Sequence, residues 1–376
     1  MLIAFIDVKT KIIQGDLKGA ALRATKEHNF LNITVKDFAA KMSNREELTN
    51  VPLNDFSALF IGITRDDIDA RELLTADYYY WAKGWDGLRL SERNDVVRSN
   101  RHFQELEDNF ADYAALLERE SSQKIFKPTS SPDIVNHEDA AGALTTRAFM
   151  LAHANAGTNR RLVEFSFSQF LCADIEQWSD TSLPGFYIGR DIGRSPTELF
   201  NNKCKGCHAP MDAMRPAFAH VDFIVDENGA FGYTAYKEIT LNDPNESNFN
   251  LINVPVPEEE QLVPSKFRRV RSNFPDGHIV TNDSWENFTS DDLFQWRSEK
   301  SGSGLKSFGR MIASSHRFSQ CMARRVFRTV CYQNLDFQND QLLIDKLAYG
   351  FENSGYNLRD LFAEAVIQES CIGEVE

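Results

Sequence analysis

One pentapeptide constrains this 376-residue chain more than any other feature: Cys204-Lys205-Gly206-Cys207-His208. Two thiols separated by two residues can each form a thioether with one vinyl group of a haem, and the adjacent imidazole then lies beneath the iron. The rival chemistries ask for more than the segment offers. A zinc site needs a second pair of ligands at suitable spacing, and none follows Cys207. A thioredoxin-like pair belongs at a strand–helix junction, and no such pattern precedes Cys204. The order of residues therefore predicts one covalent haem c, held by Cys204 and Cys207, with His208 as an axial ligand of the iron.

The second axial ligand is less constrained. Met211 follows His208 by three residues, so on a continuing helix it shares the same side. Met214 and His220 lie farther on and could fold over. Between residues 221 and 277 there is neither a Met nor a His, so a downstream ligand is missing and Met150 and His153 come into view upstream. His153 stands first among the candidates and Met214 second, which makes His208 and His153 the expected metal ligands.

Fifty-five acidic residues against 41 basic ones give a formal net charge of −14. Such a surface disfavours nucleic acid and anionic membranes and favours a basic protein partner. No apolar run approaches the roughly 20 residues of a membrane helix, so the chain is not expected to span a membrane. Leu2–Ile6 is too short for the apolar region of about 7–15 residues in a signal peptide. Haem attachment of this kind takes place outside the bacterial cytoplasm, so the expected location is the periplasm or the cell exterior, with the chain in a mature or trimmed form. Beyond the motif, Cys172, Cys321, Cys331 and Cys371 remain. As disulfides they allow three pairings, and as free thiols none; Cys331 with Cys371, flanking the last helices, is the pairing favoured.

Along the chain, helical patterns predominate. Residues 16–28 and 35–42 read as short amphipathic helices. Leu53–Ile63 is an apolar stretch, after which Thr64–Asp69 has the capping residue and acidic first turn that could open a helix. Residues 98–118 place Phe103, Leu106, Phe110, Tyr113, Leu116 and Leu117 at helical spacing, with core packing as their default role. Residues 141–150 and 160–172 form a helical pair joined by the polar loop His153–Asn159, and Phe165, Phe167 and Phe170 are mostly core. An extended loop is expected over 179–196. Phe223–Val225 and Phe231–Thr234 flank the turn signal Asp226-Glu227-Asn228-Gly229, which suits a hairpin. Residues 241–285 carry five prolines with little periodicity and read as an irregular lobe. Helices return over 307–328, 339–352 and 358–370, with Arg324, Arg325 and Arg328 read as a solvated helix face.

The run Cys204-Lys205-Gly206-Cys207-His208-Ala209-Pro210-Met211-Asp212, followed by Phe218, Asp222 and Gly229, resembles a cytochrome-like family first noticed in large secreted planctomycete proteins and widespread in proteobacteria. Gly142-Ala143-Leu144-Thr145, His153-Ala154 and Phe170-Leu171-Cys172 resemble that family's segment before the haem. Ser315-His316-Arg317-Phe318 with Cys321, then Gly355-Tyr356-Asn357-Leu358-Arg359, resembles its C-terminal helical domain, and Leu73-Leu74-Thr75-Ala76-Asp77 its N-terminal one. Ala213 stands where the family usually has Pro, and Pro216-Ala217 where it has Gly-Phe, so the chain departs from the family's pattern after Asp212. The resemblance implies a mainly α fold with a cytochrome c-like haem domain between helical domains and a small irregular or β lobe. The expected domains are 1–140 (helical), 141–300 (haem c, with the lobe) and 301–376 (helical). It also raises His153, which falls at a His-Ala position of the family.

Three functions fit these residues. With both axial positions filled by protein, the haem only passes electrons, and the chain is an electron-transfer cytochrome with a basic redox partner. With an open distal position, Arg147, His153 and Arg160 could line the pocket of a peroxidase- or oxygenase-like enzyme. Alternatively the haem knits together a large structural subunit of an extracytoplasmic assembly, since small electron-transfer cytochromes need only about a third of this length.

Overall fold

Helices dominate the computed structural model, which describes residues 2–84, 94–127, 133–154, 159–183, 200–225, 232–236, 253–255, 278–280 and 283–372. Four helices open the chain: α1 (Leu2–Ile13), α2 (Leu17–Ala24), α3 (Lys36–Met42) and α4 (Asp55–Arg65). The apolar run after Leu53 is itself α4. Asn54 caps it, its side chain accepting from the Ser57 N–H. Residues 56–64 are all buried, so the helix has no polar face and shows no amphipathic period. Thr64–Asp69, expected to open a helix, instead ends this one. The chain then makes a tight helical turn over Ala70–Leu74 and strand β1 (Tyr79–Trp81).

The helix expected over 98–118 is also broken. Helix α5 (Arg101–Asp108) stops at Asn109, and Phe110 takes a φ of 52° with its side chain 95% exposed. Phe110 is therefore not a core residue, whereas Phe103, Leu106, Tyr113 and Leu117 are. Strands β2 (Glu118–Glu120), β3 (Lys124–Lys127) and β4 (Asp133–Asn136) follow, with β2 antiparallel to β1.

Next come α6 (Arg147–His153), α7 (Arg160–Leu171), the single turn α8 (Ile175–Trp178) and α9 (Lys205–Met214), which carries the cysteine motif. The expected hairpin forms from β5 (Val221–Val225) and β6 (Gly232–Tyr236), and β6 runs parallel to β3, giving the sheet order β4-β3-β6-β5. This sheet joins strands from both sides of residue 140. Most of the irregular lobe, its turn at 226–229 and the loop from 184 to 196 lie outside the described residues. Within 250–303 the described parts are two short antiparallel pairs and one turn of helix at Asp291–Phe294.

The last third folds as α10 (Gly304–Ser314), α11 (His316–Cys331), α12 (Gln341–Asn353) and α13 (Leu358–Val366). The single helix expected over 307–328 is two, because Ser315 leaves the helical region (ψ 148°) and its hydroxyl caps α11 by accepting from the Phe318 N–H. Helix α10 packs against the Ala70–Leu74 turn through Gly309, where any Cβ would collide with the Leu74 carbonyl oxygen. Arg324 and Arg325 do not form a solvated face. The Arg324 guanidinium lies 4.1 Å from the Phe337 ring centre, and the Arg325 side chain is only 12% exposed.

Disulfides join Cys172, at the end of α7, to Cys321 in α11, and Cys331, at the end of α11, to Cys371, the pairing favoured from the sequence. The buried side chains form one connected core, with Phe38, Phe60 and Phe362 meeting edge to face near the N terminus and Phe218 meeting Phe308 beneath the cysteine helix.

Candidate functional site

Helix α9 starts directly after Cys204. Cys207 and His208 follow Cys204 by three and four residues, so all three share one helix face. Both cysteines are unpaired and half-buried, while the other four cysteines are bonded in disulfides.

Pro210 sits inside α9 and has no N–H to give to the carbonyl four residues earlier, that of Gly206. The Asp180 N–H fills this vacancy, donating to the Gly206 oxygen at 2.9 Å. Gly206 also lies close against Thr181, whose methyl would stand 3.0 Å from a Cβ at that position. The segment after α8 thus holds the turn between the two motif cysteines.

One turn past His208, the fully buried Asp212 binds α9 to α7. Arg160 Nε donates to Oδ1 at 2.7 Å and Arg160 Nη2 to Oδ2 at 2.9 Å, with Arg215 Nε 3.3 Å from the same carboxylate. This is the forked pairing that guanidinium and carboxylate make best. Burial, then the positive charge of Arg160, pushes His208 down to about 4, so its imidazole is neutral at pH 7 and able to bind a metal.

His153 ends α6 and is 1% exposed. Its ring stacks on Phe165 of α7 at 4.0 Å and meets Phe149 edge-on at 4.7 Å. Neither ring nitrogen has a hydrogen-bond partner among the described residues. Burial, with Arg45 and Arg161 adding to it, lowers its pKa to about 3. A buried polar group left unmet is rare and costly, and a neutral imidazole with both nitrogens unmet is suited to an iron bond. Helix α7 is thus common ground: Arg160 at its start holds the His208 helix, and Phe165, just over one turn later, holds the His153 ring.

Other candidates are committed elsewhere. Met214 is fully buried in the core, six residues past His208 and about 240° around the helix from it. Met150 is likewise buried. His220 stacks on Tyr236 at 5.5 Å. Of the groups that could line an open distal pocket, Arg160 is spent on Asp212, and Arg147 Nε donates to the Gly232 carbonyl.

The residues present fit a haem c. Two free cysteines at thioether spacing share a face with a neutral histidine, and a second neutral histidine is buried with no hydrogen-bond partner among the described residues. They fit thiol chemistry poorly: burial, then Glu176 and Glu164, raises the Cys207 pKa, whereas a reactive thiol needs it lowered. They do not fit zinc, because no group of three His, Cys, Asp or Glu side chains converges among the described residues. Asp180, Asp212 and Arg160 as supports of the site were missed in the sequence. The available signals were a proline four residues after a glycine and a lone acid in an apolar stretch of helix. Compared with protein-family models, with characterised proteins and with solved structures, the chain matches none.

Proposed function

We propose that this chain is a single-haem c-type cytochrome, akin to the planctomycete-type cytochrome-like family, that transfers electrons in the periplasm or at the cell exterior. Cys204 and Cys207 would hold the haem through thioethers, and His208 and His153 would bind its iron. Held by four protein groups in this way, it would supply a one-electron couple. The chain's part is to keep both imidazoles neutral, to shield them from water and to fix their orientation. Burial and the charge of Arg160 keep His208 neutral, the Arg160–Asp212 pair fixes its helix on α7, and Phe165 and Phe149 pack around His153. The observation that carries the reading is the buried His153 ring, with neither nitrogen hydrogen-bonded among the described residues. The engagement of Arg147 and Arg160 elsewhere favours electron transfer over a catalytic distal pocket, which would need their free donors.

Absorption spectra with and without carbon monoxide test this directly. The reduced protein is expected to be low-spin and to bind no carbon monoxide, and His153→Ala to become high-spin and to bind it. Rapid carbon monoxide binding by the unaltered protein, or an unchanged spectrum in His153→Ala, contradicts the ligand assignment. A basic redox partner is the expected counterpart of the −14 net charge.

A further inference from the structure

In a chain this acidic, one cavity is lined by arginines. About 170 Å³ of space between the loop after α3, the end of α7 and helix α11 is bordered by Arg324, Arg325 and Arg328, with Ser168, Asp174 and Glu47. Its cations are held in place by contacts already made. Arg324 Nε donates to the Leu335 carbonyl at 2.8 Å, and Arg325 Nη2 to the Ser168 carbonyl at 3.1 Å. Arg325 Nε is buried with no partner among the described residues. Burial lowers the pKa values of both Arg324 and Arg325; the charge of Arg325 adds to this at Arg324, while at Arg325 Glu47 opposes it.

Glu47 is the chain's own occupant of this site. Its carboxylate meets Arg325 Nη1 at 3.2 Å and Arg328 Nη1 at 3.0 Å from the rim. It does so from a left-handed backbone, φ 52°, a conformation unfavourable for a residue with a side chain. Among the residues that line the cavity, with Glu47 swung out, three arginines face Asp174 alone, an excess of two positive charges that suits a dianion, with Asp336 acting on Arg324 from outside the lining. Forked guanidinium donors suit a phosphate-like group well.

The geometry points to a binding site for a small dianionic oxyanion of the phosphate kind, in which the anion takes the place of the Glu47 carboxylate on Arg325 and Arg328. The site is independent of the haem reading and stands or falls without it.

Calorimetric titration of the full chain with inorganic phosphate, at constant ionic strength, tests the proposal. Saturable binding of one phosphate per chain is expected. Glu47→Gln removes the internal competitor and is expected to tighten binding about tenfold, while Arg328→Gln weakens it about tenfold. Arg328 is 47% exposed, so its replacement spares the fold, and Arg325→Met should abolish binding, with a urea midpoint recorded alongside to show that the variant is folded. Absence of saturable binding to the unaltered protein overturns the proposal. So does an affinity that neither Glu47→Gln nor Arg328→Gln changes, because the phosphate would then sit elsewhere.

Discussion

Asp212 shows how much of the site rests on single charges. It is fully buried, and two arginines share its carboxylate. Asp212→Ala would leave Arg160 and Arg215 buried beside an apolar methyl and should lower unfolding stability by about 3–5 kcal/mol, read from the urea midpoint. The cysteines and His208 were legible in the sequence because the proposed covalent attachment would require them to be neighbours in the chain. Arg160 lies 52 residues from Asp212, and no local pattern records a pairing over that distance. Buried histidines away from the site set an acid limit. Burial pushes His102 and His137 down to about 4, from about 6.5 when unfolded. Between these values the unfolded chain binds protons that the folded chain refuses, so stability is full above pH 6.5 and falls as the pH drops toward 4. Urea midpoints measured from pH 7 to 4.5 should fall steadily. His102→Gln should make that slope shallower, and an unchanged slope would remove His102 from the account.

At the scale of elements, periodicity served well where a helix had one wet face and failed where it had none or where the chain turned. Helices α2, α3 and α7 begin and end within a few residues of their expected limits. Helix α4 was hidden because it is buried all round. Helix α5 was overextended because Phe110 sits in phase with the core residues while the backbone reverses beneath it. The two phenylalanines of this region should therefore behave oppositely. Phe103→Ala empties a buried site and should cost about 3–5 kcal/mol. Phe110→Gly relieves a left-handed residue while loosening the unfolded chain, so its net change should stay within about 1 kcal/mol. Equal losses in thermal or urea unfolding would contradict the assignment. Ser315, which separates α10 from α11, should cost about 1 kcal/mol when replaced by Ala, the usual price of a lost N-cap.

Over the whole molecule, long-range ties knit together the stretches that the sequence divides at 140 and 300. Strand β3 pairs with β6, and Cys172 is bonded to Cys321 across 149 residues. The strand pairing was not legible, since strand partners leave no local mark, whereas Cys172–Cys321 is the bond left once Cys331 pairs with Cys371, one of the three possible pairings. Removing the Cys172–Cys321 bond by a double Ala substitution should lower stability by about 2–5 kcal/mol. The same change at Cys331–Cys371, which spans 40 residues, should cost about 1 kcal/mol less, because the shorter loop restrains the unfolded chain less. The mainly helical body, with its small sheet, places the cysteine helix against α7 and leaves both motif thiols unpaired. The claim that they hold a haem is tested most directly by the pyridine haemochrome spectrum of the denatured chain, made in cells equipped for c-type haem attachment. One haem per polypeptide should remain through denaturation, and it should be lost in the Cys204→Ala, Cys207→Ala double variant. A denatured, unaltered chain that carries no haem would contradict the account.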